Sequence, residues 1–383
     1  MTENPAFLTD QLITYIGNKR ALLSFIGQAV ELVKSQLNQE RLHTMDMFSG
    51  SGIVGRFLKA HSKTLTVNDM EQYTRTINQC YLANSSEVDE ATLRALHEEV
   101  TSQTLRRVNG TERAGFITEL YAPKETERIQ KGERCFYTTH NARYIDFARM
   151  TIEERVPAAL RPFFVAPLLS QASVHANTAG IFKGFYKNSA TGIGQFGGNG
   201  RNALSRICSD IVLPFPVLSR FCCPVRIFQS DANALSVSKE LYDGLPENEF
   251  DLVYMDPPYN QHPYGSNYFM LNLITTYERP DCNTISRVSG IPRGWNRSAY
   301  NKKLLAEETF RELVQSVRTK FLVISFNNEG FIKRERMEAL LAEFGTVSVL
   351  EAGYNAFRGS RNLHGRDIHV SEYLFVLDKR NKR

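Results

Sequence analysis

Leu42-His43-Thr44-Met45-Asp46-Met47-Phe48-Ser49-Gly50-Ser51-Gly52-Ile53-Val54-Gly55 is the stretch on which the fold turns. A β-rich run stops at closely spaced small residues, and the apolar residues behind them open a helix. Small residues at such a turn let backbone approach a ligand, and the helix N-terminus presents free N–H groups. The spelling Gly50-x-Gly52-x-x-Gly55 also satisfies the dinucleotide fingerprint, with Asp69 about where an acid holds ribose hydroxyls. A structural turn and nicotinamide, flavin or S-adenosylmethionine sites all stay open on this stretch alone.

Outward from it, four more runs read as strands. Thr64–Val67 ends at Asn68-Asp69, Val225–Phe228 before Ser230-Asp231, Asp251–Met255 at Asp256-Pro257-Pro258, and Phe321–Phe326 at Asn327-Asn328. Short β-rich runs separated by helix-length segments predict parallel βαβ units in an α/β sheet. Ligands in such sheets sit beyond the carboxyl ends of the strands, where Asp69, Asp231, Asp256 and Asn327 would converge. Thr346–Leu350 and Glu372–Leu377 read as a closing antiparallel hairpin. Between residues 86 and 215 the βα rhythm stops. Helical periodicity over Glu90–Leu105 gives way to a loop with seven glycines from Gly180 to Gly200. The chain therefore divides into 1–85 and 216–383, which build the sheet, and an inserted second domain, 86–215.

The chain has 383 residues, 42% hydrophobic and 23% charged, enough to bury a sizeable core. No apolar run reaches the ~18 residues of a membrane helix, and Met1-Thr2-Glu3-Asn4-Pro5 is no signal-peptide start. A cytoplasmic protein with reduced thiols and no membrane partner is expected. The six cysteines include no C-x-x-C, the eight histidines show no metal spacing, and Cys222-Cys223 reads as core packing, so no metal site is expected. Net charge is only +5, but it is segregated. Arg155 to Ser209 holds no acid and six bases; Asn283 to Ala306 holds no acid and five. Such one-sidedness suits a polyanion, and equally a solvated basic surface.

Asp256-Pro257-Pro258-Tyr259 narrows the chemistry. Two prolines remove backbone donors and fix φ, turning the following groups outward at a strand's end. An aspartate and a proline carbonyl then offer two acceptors to an exocyclic –NH₂, and Tyr259 offers a face for a base to stack on. An amino group held this way keeps its lone pair aimed at an electrophile. A nicotinamide oxidoreductase would leave the tetrapeptide unexplained, and a non-catalytic DNA-binding protein would leave the glycine loop unexplained.

Tyr15-Ile16-Gly17-Asn18-Lys19-Arg20, Phe48–Gly52, Asn68-Asp69, Asp256–Tyr259 and Ser325-Phe326-Asn327-Asn328-Glu329-Gly330 occur in that order. The combination resembles the D12-class (α-group, Dam-like) S-adenosylmethionine-dependent adenine-N6 DNA methyltransferases. The resemblance implies a Rossmann-like class I methyltransferase fold, a seven-stranded, mostly parallel sheet with an inserted target-recognition domain. It implies S-adenosyl-L-methionine as cofactor, held by Tyr15, Lys19, Phe48, Gly50, Gly52, Asp69, Asp231 and Asp256. Lys19 would face the methionyl carboxylate, Asp69 the ribose and Asp231 the cofactor's adenine amino group. Asp256, Pro257, Pro258 and Tyr259 would hold a target adenine flipped from duplex DNA. Dam-like members show Gly-Gly before the lysine, where this chain has Gly17-Asn18. By family analogy the chain is the modification half of a restriction–modification pair, with a cognate restriction endonuclease as partner. An RNA adenine methyltransferase and an N4-cytosine DNA methyltransferase are the alternatives.

Lys183 and Lys187 alternate with Phe182, Phe185 and Tyr186, as in a nucleic-acid face or in an aromatic core with snorkelling lysines. Gln195 and Arg201 could read base edges, and Arg358 and Arg361, on the late Gly/Asn/Arg-rich loop, could meet phosphates.

Overall fold

Side chains alternate along the central strands, and both sets are buried. Val253 and Met255 join Leu322 and Ile324 in one apolar cluster, while Leu252 and Tyr254 join Phe321 and Val323 in another. A sheet covered on both faces is what parallel βαβ connection produces. In the computed structural model, which describes residues 2–355 and 369–380, the strands are β1 Leu42–Asp46, β2 Ser62–Asp69, β3 Val225–Gln229, β4 Phe250–Met255, β5 Thr319–Asn327, β6 Thr346–Asn355 and β7 His369–Asp378. Among the described residues they form one seven-stranded sheet in the order β3-β2-β1-β4-β5-β7-β6. Pairs β3/β2, β2/β1, β1/β4 and β4/β5 are parallel. β7 runs antiparallel between β5 and β6. The expected α/β, Rossmann-like methyltransferase sheet and its closing hairpin are both present.

The strand order reverses between β1 and β4, so the chain leaves them in opposite directions and opens a crevice at their carboxyl ends. Register aligns the residues there. Asp46 lies beside Tyr254, Asp69 beside Gln229, and Asn327 beside Glu372. Behind the sheet, the helix Leu23–Leu37 buries Phe25, Ile26, Ala29, Val30 and Val33, a one-sided stripe at helical spacing.

Between β2 and β3, residues 86–215 carry the helices Glu90–Asn109, Phe116–Tyr121, Thr139–Arg155, Pro162–Val174 and Leu204–Cys208. Their Phe136, Tyr144, Phe147, Phe164 and Leu168 share one apolar cluster with Tyr73, Ile77, Met270 and Ile274 of helices Gln72–Tyr81 and Phe269–Thr276. Buried polar bonds tie the same surfaces together. The Tyr277 hydroxyl donates to Asp146 Oδ1 at 2.8 Å, and Arg149 Nε donates to the Ile274 carbonyl at 2.8 Å. The segment thus braces the helix that follows Asp256–Tyr259. The cysteine pair splits: Cys223 is buried but Cys222 is exposed beside the Ser86 hydroxyl, which corrects the reading of both as core. Among the described residues no helix is long and apolar enough to cross a membrane, and no cluster of His, Cys, Asp or Glu could hold a metal ion.

Candidate active site

The glycine turn after β1 is fixed from three sides. Gly50 has φ +52°, and a Cβ there would lie 2.9 Å from the Tyr15 ring. Its N–H donates to Asp69 Oδ2 at 2.8 Å, and its carbonyl accepts from Thr74 Oγ1 at 2.8 Å. Asn78 Nδ2 donates to Ser49 Oγ at 2.9 Å. Gly52, at φ +75°, is the residue from which the Ile53–Lys59 helix starts. The sequence signature thus becomes a rigid loop whose backbone faces the crevice.

Opposite it, Tyr15 packs in parallel contact with both Tyr264 (5.0 Å) and Tyr268 (4.8 Å) of the segment after Tyr259, which lie 6.0 Å from each other. The Tyr268 hydroxyl accepts from the Ile16 N–H at 2.8 Å, and the Tyr264 hydroxyl donates to the Ile16 carbonyl at 3.2 Å. These contacts clamp the N-terminal strap and deliver Lys19 into the protein. Asn18 starts its short 3-10 turn by accepting from the Arg20 N–H at 2.9 Å, a role the second glycine of Gly-Gly could not fill.

Lys19 is 3% exposed, with Nζ 3.2 Å from Asp256 Oδ1 and 2.9 Å from Glu372 Oε1. Burial opposes its charge, but the two carboxylates outweigh burial and hold Lys19 protonated well above the ordinary lysine range. Asp256 is 18% exposed. Burial pushes its carboxyl up to about 6, with Lys19 opposing and Glu372 adding to the rise. Among the described residues nothing hydrogen-bonds its Oδ2, so an acceptor remains for a ligand. Tyr259 is partly buried. Its hydroxyl accepts from Asn327 Nδ2 at 3.0 Å, its carbonyl accepts from the Phe331 N–H at 2.9 Å, and its ring meets Phe326 at 5.4 Å. Pro257 is buried and Pro258 faces the crevice.

One cleft, about 810 Å³ with the open space at its mouth, joins the glycine loop, Lys19 and Asp256, whereas Gly52, Pro257 and Tyr259 are not part of its lining. Tyr15, Gly17, Lys19, Phe48, Gly50, Asp69, Asp256 and Pro258 all line it. Asp231 does not; it is exposed and accepts from the Asn233 and Ala234 N–H groups, while its neighbours Ser230 and Ala232 line the cleft. Asp69 is raised to about 6 by burial against opposing amide bonds from Glu71, Gly50 and Met70.

Sequence reading missed several contributors. Glu71 lines the cleft, buried, and is lifted to about 7 by burial although Asn272 and Asn296 bond it. Asp46 lies buried behind the glycine loop; burial first, then Asp256 and Asp69, raise its carboxyl to about 8 against the Gly55 and Phe48 backbone amides. Glu372 had a usable signal: it is an acid opening the otherwise apolar run Tyr373-Leu374-Phe375-Val376-Leu377. Tyr264 and Tyr268, four apart, face one side of a helical stretch and were a second signal.

The glycine-rich segment is built differently. Lys187 bridges to Gly194 as a small hairpin, and Asn177 pins the turn beyond it, donating to the Cys135 carbonyl (2.8 Å) and accepting from the Gly197 N–H (2.9 Å). Phe182 is buried and Phe185 packs on Phe136. The aromatics therefore belong to the core, and the Lys187 ammonium lies 5.0 Å over the Phe185 ring. Lys183 and Arg201 are exposed, Arg201 at φ +47°. Gln195 is partly buried and accepts from Asn188 Nδ2 at 3.0 Å. Arg358 and Arg361 lie outside the described residues.

The sequence model for D12 class N6 adenine-specific DNA methyltransferases matches residues 15–196 and 226–339. The chain belongs to this family. It is an adenine-specific DNA methyltransferase, an enzyme that needs a methyl donor and acts on DNA. It is 27% identical over 376 residues to type II methyltransferase M.NlaIII of Neisseria lactamica, covering 96% of this chain and 99% of that one. It is 26% identical to type II methyltransferase M.CviAII of Paramecium bursaria Chlorella virus 1, covering 95% of this chain and 98% of that one. Type II methyltransferase M.FokI of Planomicrobium okeanokoites is 24% identical; the match covers 95% of this chain and 52% of that one. Two matched segments of the D12 family model flank residues 197–225, so the glycine-rich loop's end and its exit to β3 lie outside the shared core.

Proposed function

We propose that this methyltransferase takes S-adenosylmethionine as its donor and methylates N6 of an adenine rotated out of duplex DNA, in the cytoplasm, as the modification half of a restriction–modification pair. The observation that carries the reading is the cleft that the glycine loop shares with Asp256 and Pro258. Its residues fit the donor. The close Tyr15–Gly50 approach leaves a cradle of bare backbone, and the lining supplies carboxylates at Asp69 and Glu71 for hydroxyl or amine donors. Lys19 supplies a cation for a carboxylate, although here Asp256 and Glu372 engage it. Bound there, the sulfonium supplies an electrophilic methyl group.

The chain's own residues do the rest. Asp256 Oδ2 and the Pro257 carbonyl accept the two N6 hydrogens, so the nitrogen lone pair turns away from the ring plane. Tyr259 stacks on the base and is itself held by Asn327 and Phe326. Extrusion of the base costs ~a few kcal/mol, which stacking and these bonds offset. Lys183, Lys187, Gln195 and Arg201 would contact DNA, the first two at phosphates. The type II names of the relatives support a paired nuclease acting on the same sequence.

Incubation with methyl-labelled S-adenosylmethionine and duplex DNA, then nucleoside analysis, tests the reading. Label in N6-methyladenine is expected. Label in cytosine, or transfer to RNA in preference to duplex DNA, would overturn it.

A further inference from the structure

Glu372 holds neither donor nor base, yet it is fully buried (0% exposed) next to the chemistry. It sits on β7, opposite Asn327 of β5, two strands away from Asp256. Its Oε1 accepts from the Ser325 hydroxyl and forms an ion pair with Lys19 Nζ at 2.9 Å, while Oε2 is buried without a hydrogen-bond partner. A half-bonded carboxylate in the core costs stability, and an apolar residue would suit a strand of this composition better. The Lys19 ammonium would then pair with Asp256 alone, and the cluster would be neutral. With Glu372 present, one cation is shared by two carboxylates and the cluster carries a net negative charge.

We propose that Glu372 is a positioning residue that draws Lys19 off Asp256, keeping Asp256 a strong acceptor and the pocket negative where the attacking N6 becomes positive. The proposal rests on the reading of Asp256 as the acceptor for the target amino group. The groups facing Asp256 are Lys19 from the N-terminal strap, Glu372 from β7, Tyr254 from β4, Tyr264 from the segment after Tyr259, and Asp46 from β1. Of these acids, Glu372 is the one that shares the Lys19 ammonium with Asp256. The Asp256 carboxyl, already high, is raised by burial first and by Glu372 in addition, against Lys19. Removing the Glu372 charge therefore lowers it.

The test is the pH profile of single-turnover methylation at saturating DNA and donor. Glu372→Gln keeps the shape and an oxygen for Lys19. It should cut the plateau rate by ~10-fold or more, as when one preorganised electrostatic contact is lost. Its acid limb should move to lower pH by about one unit, with affinity for DNA nearly unchanged. Glu372→Asp should restore the limb towards its original position. Ser325→Ala keeps the charge but removes the hydroxyl, so Glu372 holds Lys19 harder and the limb should move upward; this variant carries the test should Glu372→Gln not fold. A uniform loss at all pH values, or limbs unmoved in both variants, would return Glu372 to a structural role. Asp256→Ala separates the two readings: if it methylates normally, the assignment of Asp256 fails first; if it is inactive while Glu372→Gln is normal, only the proposal for Glu372 fails.

Discussion

At the crevice between β1 and β4, the buried Lys19 ammonium is ion-paired with both Asp256 and Glu372. In the glycine-rich segment, Lys183 and Arg201 reach solvent from backbone that Asn177 and the Lys187–Gly194 bridge hold in place. The contrast follows from what each region must do. A reacting amine needs acceptors fixed before it arrives, and low dielectric strengthens them. A polyanion needs exposed cations whose counterions can leave. Charge is buried for structure elsewhere too, as at Asp146 and Arg149, so what separates the cleft is two carboxylates sharing the one Lys19 ammonium.

Substitutions that break this division should have unequal effects. Asp256→Ala is expected to cost the most, ~10²-fold or more in turnover, because a preorganised contact to the reacting group is lost. Tyr259→Ala should follow, losing ~1–3 kcal/mol of stacking, whereas Tyr259→Phe keeps the ring, loses the hydroxyl that meets Asn327 and should keep appreciable activity. Labelled methyl transfer ranks all three.

Gly50→Ala attacks the cradle instead. Its φ of +52° and the Tyr15 ring leave no room for a Cβ, so strain of ~1–3 kcal/mol should lower donor affinity by ~10-fold or more. Calorimetry with S-adenosylmethionine measures it; binding at the wild-type level would show that the loop is not the donor site. Lys183→Ala and Arg201→Ala should leave donor affinity intact. A lost phosphate contact reduces the salt slope of DNA binding by about one. A lost base contact instead removes ~1–3 kcal/mol of discrimination.

The smallest effect is on stability, and its sign is fixed by Asp46. Its carboxyl titrates near 8 when folded, against ~4 in an unfolded chain. From ~4 up to about 8 the unfolded state releases this proton first, so folding stability falls as pH rises through that window and levels off above it. Asp46→Asn removes this slope. Without ligand, its melting temperature should equal the wild type's near pH 4 and exceed it by a few degrees at pH 8.

Much of this was legible from residues. The parallel strands end within two residues of the expected positions, β6 runs five residues past the expected Leu350, and the cleft collects Gly50, Asp69 and Asp256 as the strand ends implied. What escaped was long-range. Glu372 reaches Lys19 only because β7 is inserted between β5 and β6, and no local pattern encodes that pairing. Asn177 and Tyr264 act through backbone groups far along the chain, which composition cannot show. Phe182 and Phe185 stayed undecided in the sequence because alternation with lysine fits a stacking face and a core edge equally well; the inward packing onto Phe136 decided it.

Single-molecule sequencing of DNA from cells expressing the protein tests the central claim most directly, since it reads base, atom and context together. N6-methyladenine confined to one short sequence is expected, absent with Asp256→Ala, and weakened or relaxed in context with Arg201→Ala. Methylation at N4 of cytosine, or an unchanged adenine signal with Asp256→Ala, would contradict the account.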